Sequence, residues 1–192
     1  MLQQMLKDNS GVLRTADAVA AGLSKDSFYR FVEKVGLEKV SHGLFVSPDS
    51  WVDEFYLLQA RFPKAVFSHE TALYLHDLAE REPIPLTVTV PSNYNSKNLI
   101  EKGVEINYIK KEWYGKGFCS LTSPTGHKLV VYDMERTICD IVRKRSKIEI
   151  SAFNYALREF MKRKDKNLPK LMRYAASMRI EKHVLEALGV LL

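Results

Sequence analysis

The stretch that decides the fold of this chain is residues 15–46, TADAVAAGLSKDSFYRFVEKVGLEKVSHGLFV. Ser24 can accept hydrogen bonds from the amides that follow it, and Gly36 can adopt a left-handed conformation, so these residues are predicted to begin and end one helix. Four apolar residues share one face of that helix: Phe28, Phe31, Val32 and Val35. Such a stripe requires a core to cover it, which predicts a folded domain around this helix.

The segments on either side of this helix have the pattern of a turn and a hairpin. Upstream, Thr15 can cap a short helix that runs to Ala20, and residues 21–23, Ala-Gly-Leu, supply a tight turn. Downstream, residues 37–40 and 44–46 can pair as two strands, with Gly43 in the turn between them. This order of helix, turn, helix and hairpin is typical of a winged helix-turn-helix.

A helix of this size fits the major groove of B-form DNA, which is about 12 Å wide, and a hairpin beside it can contact phosphate. We therefore expect DNA contacts from the helix at Ser24, Lys25, Ser27, Tyr29, Arg30 and Lys34, and from the hairpin at Lys39, Ser41 and His42. Arg30 can offer two donors to a guanine edge. The alternative is a three-helix unit that packs against another protein. It is favoured by the charge of residues 1–50, where six Lys and Arg are balanced by six Asp and Glu.

The surplus positive charge of the chain lies outside this segment. The formal net charge is +6 and the pI is near 9.2, which favours an anionic partner. Residues 143–173 alone contain 11 Lys and Arg against three Asp and Glu. We predict a basic surface formed by Arg143, Lys144, Arg145, Lys147, Arg158, Lys162, Arg163, Lys164 and Lys166. The alternative is a solvated helical face, since Lys and Arg are common near helix C-termini.

The pattern after residue 50 is that of a larger domain. Residues 47–50, Ser-Pro-Asp-Ser, are typical of a linker that can also cap a following helix over residues 51–62. Strands are predicted at residues 86–90, 104–109, 118–121 and 128–132, and helices follow from Asp133 onward. The predicted fold class is α+β. A winged helix-turn-helix over residues 1–50 precedes a domain over residues 51–192 with a small mixed β-sheet and a C-terminal helical cluster.

The composition argues against a membrane protein, a secreted protein and a protein with a thiolate metal site. With 46% hydrophobic and 27% charged residues, the chain has the composition of a soluble protein. It has no apolar run of the roughly 18 residues that a membrane span needs, and no signal peptide, so we expect a cytoplasmic protein without membrane contact. Its two cysteines, Cys119 and Cys139, are too few for a thiolate metal site and are expected to be reduced.

Three short motifs invite a catalytic interpretation, and each is incomplete. His69 and Glu70 begin like a zinc-protease helix, but Leu73 stands where the second histidine would be. Asp133 and Glu135 resemble the magnesium carboxylates of nucleotidyltransferases, but no Gly-Ser helix start precedes them, and favourable placement at the start of the next helix explains both. Glu105 is followed two places on by Asn107 rather than by the lysine that a nuclease would require. We therefore predict no enzymatic activity, no metal and no cofactor.

The chain resembles the AbiEi-type antitoxins of bacterial type IV toxin-antitoxin systems over nearly its whole length. The resemblance rests on five segments of this sequence: GLS at 22–24 with the helix that ends at Gly36, VSHGLFV at 40–46, FSHETALYLH at 67–76, VTVP at 88–91 and RTICDIVR at 136–143. The last segment is the most specific, because many regulators share a winged helix-turn-helix. Within it, Arg136 and Asp140 are one helical turn apart and are expected to pair.

The resemblance implies a two-domain regulator that binds inverted repeats in its own promoter and represses an operon encoding a nucleotidyltransferase toxin. It also implies that the C-terminal domain neutralises this toxin without a stable complex, in systems that defend against phages by abortive infection. Because the winged segment is formally neutral, we expect the basic helices to contact the same double-stranded DNA, with two copies on an inverted repeat. Two alternatives stay open: an interaction module that binds protein or RNA, and a degenerate enzyme built on Asp133 and Glu135.

Overall fold

Residues 1–50, 53–123 and 125–189 are described by this computed structural model. Within them the chain is a mixed α and β structure with eleven α-helices and two small sheets, one of three strands and one of five. It divides into two compact units. The first unit consists of Met1–Pro63 and Thr122–Leu129, and the second consists of Lys64–Leu121 and the chain from Val130 onward.

The first unit contains four helices and three short strands. In chain order these are α1 (Leu2–Asp8), β1 (Val12–Arg14), α2 (Thr15–Ala20), α3 (Lys25–Val35), β2 (Glu38–Ser41), β3 (Leu44–Val46) and α4 (Glu54–Arg61). The strands form an antiparallel sheet in the order β1-β3-β2, so the predicted hairpin carries a third strand. Trp51 and Val52, with which the predicted helix over residues 51–62 begins, lie outside the described residues.

The limits of α3 are confirmed at both ends. The Ser27 amide donates to Ser24 Oγ at 3.2 Å, and Gly36 has a φ of 72° in the left-handed region. Phe28 and Val32 are buried in a core built from α1, α2, β1 and β3, while Phe31 and Val35 pack at its edge. The helix therefore presents one apolar face inward and its polar face outward.

Two predicted caps are wrong. Thr15 is the first residue of α2 rather than its cap, and its Oγ1 makes no hydrogen bond with the described residues. Residues 47–50 do not cap α4. That role belongs to Asp53, whose carboxylate accepts from the Tyr56 amide at 2.9 Å. An aspartate directly before a helix is a stronger cap than a more distant serine, because its side chain reaches the free amides.

The division into units differs from the expected boundary at residue 50. The reason is that α4 packs on the first unit, where Tyr56, Leu57 and Ala60 cover the buried residues Val12, Leu44 and Val46. Helix α4 is therefore part of the first unit.

The second unit combines a five-stranded sheet with a helical cluster. The strands of this sheet are β4 (Val66–Phe67), β5 (Thr87–Pro91), β6 (Glu105–Ile109), β7 (Phe118–Thr122) and β8 (Lys128–Tyr132), of which Thr122, Lys128 and Leu129 are assigned to the first unit. The helices of the second unit are α5 (His69–Leu75), α6 (Lys97–Ile100), α7 (Lys111–Tyr114), α8 (Met134–Arg143), α9 (Ile150–Lys162), α10 (Leu168–Met178) and α11 (Glu181–Gly189), with a 3-10 turn at Arg145–Lys147. The strand order is β6-β5-β4-β8-β7; β4 pairs antiparallel with β5 and parallel with β8, so the predicted mixed sheet is confirmed.

Helix α8 lies at the centre of the helical cluster. Ile138, Cys139, Ile141 and Val142 are buried against residues of α5, α9, α10 and α11. Strand β5 corrects another expectation, since its alternation of Thr and Val predicts a half-buried strand but Thr87 and Thr89 are 1% and 2% exposed. Their burial is tolerated because the Thr87 amide donates to Thr71 Oγ1 and Thr89 Oγ1 donates to Ser68 Oγ. Across the described residues, no helix is long and apolar enough to cross a membrane.

Candidate nucleic-acid interface

The outward face of α3 carries every residue that the sequence assigned to it. Ser24, Lys25, Ser27, Tyr29, Arg30 and Lys34 are all exposed. Phe28 and Val32, one helical turn apart on the inward face, are 0% and 8% exposed and pack the helix against its core. These polar side chains are therefore all accessible to a ligand.

Arg30 and Tyr29 differ in how firmly the structure holds them. Arg30 Nε donates to the Asp26 carbonyl at 3.4 Å, and among the described residues its two terminal nitrogens have no ion pair or hydrogen bond. The Tyr29 ring, 43% exposed, packs edge-on against Phe28 at 5.4 Å and against Phe45 at 6.0 Å between centroids. Tyr29 is thus a fixed aromatic surface, whereas the Arg30 guanidinium is available to a ligand.

The hairpin places its predicted residues beside this face. Lys39 and His42 are exposed and Ser41 is half-buried. The turn is anchored to α2, because the Thr15 amide donates to the Gly43 carbonyl at 2.9 Å. Gly43 has a φ of 69°, in the left-handed region that favours glycine.

A cleft of about 570 Å³ separates the hairpin from α2 and α3. Lys25 and Tyr29 of α3 line one side, and His42 of the hairpin lines another. Arg14 also lines it, together with Thr15, whose Oγ1 is buried without a partner in the described residues. The sequence analysis did not select Arg14 or Thr15, which the structure places in the lining of this cleft. The three-residue strand β1 is too short to show a periodic pattern, so nothing in the sequence directed Arg14 toward this cleft.

The residues of the predicted basic surface fall into two groups. Arg143, Lys144, Arg145 and Lys147 lie at and after the end of α8, and Lys162, Arg163, Lys164 and Lys166 lie at and after the end of α9. The 13 residues of α9 span about 20 Å, which separates the groups along the helix, and Arg158 is exposed between them. Such a spacing suits an extended anion better than a small one.

Ion pairs reduce the charge of the second group. Lys162 pairs with Glu159 at 2.7 Å, and Arg163 forms a two-pronged pair with Asp165 at 2.9 Å. In the first group, Arg145 lies over the Phe153 ring at 5.0 Å, a contact that leaves its charge exposed. The residues after α8 are therefore the stronger cationic group.

Comparison with solved structures places this fold beside one known protein. The crystal structure of RV2827C protein from Mycobacterium tuberculosis superposes with a TM-score of 0.64 at 13% sequence identity, over 98% of this chain and 74% of that chain. No protein-family model matches the sequence, and no curated protein matches it. At this identity the likeness concerns the fold.

The carboxylates Asp133 and Glu135 have structural partners. The Asp133 side chain caps α8 by accepting from the Arg136 amide at 2.8 Å, as predicted. Lys170 lies 3.0 Å from Asp133 and 3.3 Å from Glu135, so one ammonium group forms an ion pair with each carboxylate. In the described parts of the chain, no group of three or more His, Cys, Asp or Glu side chains is arranged to hold a metal ion.

Arg136 and Asp140 pair as expected, but inside the protein. They are 0% and 4% exposed, with Arg136 Nε 3.0 Å from Asp140 Oδ2. The guanidinium also donates to the Trp113 and Lys116 carbonyls and lies 4.4 Å from the Tyr132 ring centroid. The most specific segment of the family resemblance thus supplies a buried ion pair that links α8 to the chain around α7.

Proposed function

We propose that the first unit is a winged helix-turn-helix that binds duplex DNA, with α3 in the major groove and the β2–β3 hairpin beside a phosphate backbone. The observation that carries this proposal is the accessible polar face of α3 next to a cleft lined by Arg14, Lys25 and His42. Helices that read the major groove contact bases through their N-terminal residues, and here those residues are Lys25, Ser27 and Arg30.

Different residues contact the bases and the phosphate backbone of the DNA in this proposal. Arg30, with two free terminal nitrogens, suits the O6 and N7 atoms of a guanine. Lys25, His42 and Arg14 line the cleft, and Arg14 also pairs with Asp17 at 3.7 Å. A phosphate backbone passing there would meet the Lys25 ammonium group, the Arg14 guanidinium and the Thr15 hydroxyl. Tyr29 supplies a rigid ring for contact with sugar or a thymine methyl group.

The charge balance of the first unit requires a second contact. Residues 1–50 are formally neutral, and neutralisation of phosphates provides most of the affinity of such proteins for DNA. The exposed cations after α8 and α9 can provide this missing attraction. We therefore include both basic groups in the interface and expect both units to bind one operator.

The wider role that we propose is that of an AbiEi-type antitoxin without catalytic activity, metal or cofactor. It represses its own operon from inverted repeats, with two copies on the DNA, and its second unit counteracts a nucleotidyltransferase toxin in the cytoplasm without a stable complex. The support for this role is the sequence resemblance in five segments. Two of these segments form the turn, helix and hairpin of the first unit, and a third contains the buried ion pair in α8.

The test is a gel-shift titration of promoter DNA against salt. A variant with Arg143, Arg145, Lys162 and Arg163 changed to Ala should lose most of its affinity and show a shallower salt dependence. The matched control changes Lys97, Lys102, Lys111 and Lys182 to Ala, which removes the same charge from exposed positions outside both groups. Equal behaviour of the two variants would refute a contact by the basic groups.

One observation favours a second function, an interaction module that binds protein or RNA. Val19, Tyr29 and Val40 are large apolar side chains that are 43%, 43% and 39% exposed. Residues 1–50 also carry no net charge, and exposed apolar groups on a neutral segment favour a protein-binding surface. The genome separates the two proposals, because an adjacent downstream nucleotidyltransferase gene favours the antitoxin. An isolated gene favours the module.

A further inference from the structure

A small polar cavity lies in the second unit, apart from the residues of the first unit discussed above. Its volume is about 40 Å³, and its lining includes His69, Thr89, Asn107, Arg143 and Lys144. These residues come from α5, β5, β6, the last residue of α8 and the residue that follows it, so the fold of the unit brings them together. We call this space the His69 cavity.

The hydrogen bonds in the cavity determine the proton position on His69. Lys144 Nζ is always a donor, and it bonds Asn107 Oδ1, so Asn107 turns its amide nitrogen toward His69. Asn107 Nδ2 donates to His69 Nδ1 at 3.1 Å, and Ser68 Oγ lies 3.0 Å from the same atom. Nδ1 is therefore an acceptor, and the ring proton is on Nε2, which makes no hydrogen bond with the described residues.

His69 is held neutral and in an unusual backbone conformation. Its side chain is 5% exposed, and burial together with the nearby charges of Lys144, Arg136 and Arg143 lowers its pKa to about 3. Its φ of 49° lies in the left-handed region, which a non-glycine residue rarely adopts. Strained residues of this kind cluster at ligand sites, where the fold holds a side chain in one position.

The cavity has a surplus of donors and positive charge. Lys144 donates to a neutral amide oxygen, and neither Lys144 nor Arg143 forms an ion pair with a described carboxylate. Burial and the charge of Lys147 lower the pKa of Lys144, while the charges of Glu105 and Glu70 act in the opposite direction. The lining carboxylate, Asp140, is already paired with Arg136 at 3.0 Å. An anion entering the cavity would meet unpaired cations and the free N–H of His69.

We propose that the His69 cavity binds a phosphate group. A water molecule needs about 10 to 15 Å³ of such space, so the cavity holds about three, which is room for a tetrahedral oxyanion; the nucleoside of a mononucleotide would lie outside it. Arg143 and Lys144 bind the phosphate oxygens by charge-assisted hydrogen bonds, and His69 Nε2–H adds a neutral donor. The phosphate comes either from a free phosphate or mononucleotide, or from a nucleic-acid strand.

The experiment uses the full chain and four probes at constant ionic strength: inorganic phosphate, 5′-AMP, and a short DNA oligonucleotide with and without a 5′-phosphate. Binding is measured by calorimetry, and the His69 ring is followed by long-range 1H–15N NMR. We expect the spectrum of the free protein to show the Nε2–H form and phosphate to shift the Nε2 resonance. Preference for phosphate and 5′-AMP identifies a small-molecule ligand. Preference for an oligonucleotide identifies a strand, and dependence on its 5′-phosphate identifies the strand end.

Two variants separate a built site from diffuse attraction. Arg143→Ala should weaken binding of the preferred probe about tenfold, the effect of one charge-assisted hydrogen bond. Asn107→Asp should abolish binding, because it places a carboxylate beside Lys144, and its melting curve shows whether it folds. The control is Arg173→Ala, which removes an exposed arginine outside the cavity. Equal weakening by Arg143→Ala and Arg173→Ala, or absence of binding by the unmodified protein, would overturn the proposal. Neither result depends on operator binding by α3.

Discussion

Removal of the Asp140 carboxylate should strongly destabilise the second unit. In Asp140→Ala the Arg136 guanidinium keeps its charge and its place, because two carbonyl bonds and the Tyr132 ring still hold it. Arg136 is 0% exposed, so water does not replace the lost partner. Breaking a buried pair on one side costs roughly 3 to 5 kcal/mol. For a chain of this size that corresponds to a fall in Tm of about 6 to 20 °C.

The assay is urea unfolding followed by circular dichroism, with thermal melting as a second measure. The control is Asp165→Ala, which breaks the exposed pair with Arg163 and should leave the unfolding midpoint unchanged. The double variant Arg136→Met, Asp140→Leu should recover part of the loss, because it removes the unpaired charge. If Asp140→Ala and Asp165→Ala have the same midpoint, the buried pair does not stabilise the fold as argued.

Three further predictions concern caps and titrating groups. Ser24→Ala should destabilise the first unit by about 1 kcal/mol in urea unfolding, and Ser24→Asp should not, because only the alanine lacks a cap for the Ser27 amide. Asp53 has a pKa below its usual value: burial raises it, but hydrogen bonds from Ser123, Thr125, the Tyr56 amide and His127 lower it more. Its contribution to stability is therefore present above pH 4 and lost as the pH falls through the lowered pKa, and Asp53→Asn should flatten this acid limb of the stability curve. His69, with a pKa of about 3, stays neutral while the unfolded chain takes up a proton below about pH 6.5, so stability should fall by about 1.4 kcal/mol per pH unit in that window. His69→Gln should remove the His69 contribution to this slope in urea titrations, and an unchanged slope would contradict a buried neutral ring. Burial also lowers the pKa of His76, which adds a slope of the same sign in both proteins.

Local signals in the sequence predicted many of the elements. Ser24 and Gly36 set the ends of α3 because caps act on neighbouring amides and carbonyls, which lie within a few residues. The strands over residues 105–109 and 128–132 were predicted within one residue of their observed limits, since alternating or continuous apolar runs are local patterns as well.

Features that depend on distant parts of the chain were not predicted. Arg136 and Asp140 have the spacing of an exposed helical pair. The pair is buried because the chain around residues 113 and 116, whose carbonyls accept from Arg136, covers it in the folded protein. The segment over residues 122–129 joins the first unit because Ser123, Thr125 and His127 bond to Asp53, which is some seventy residues away in sequence.

The candidate sites divide in the same way. The exposed face of α3 follows from its helical period, so its residues could be selected from the sequence. The His69 cavity could not, because Asn107 and Lys144 lie on different elements and approach His69 only in the folded chain. A nuclease motif would require a lysine two residues after Glu105, where this sequence has Asn107. The structure shows that the lysine beside Asn107 is Lys144, from the end of α8.

The central claim is that the outward face of α3 reads DNA sequence. Its most direct test is the ratio of affinities for promoter and random duplex DNA at one salt concentration, measured for the unmodified protein, Arg30→Ala and the exposed control Arg173→Ala. If Arg30 binds a guanine edge, Arg30→Ala should lower this ratio about 5- to 150-fold, which corresponds to roughly 1 to 3 kcal/mol, and the control should keep it. The same ratio in Arg30→Ala as in the unmodified protein would contradict sequence reading by Arg30, and equal affinity of the unmodified protein for both DNAs would contradict sequence reading by α3.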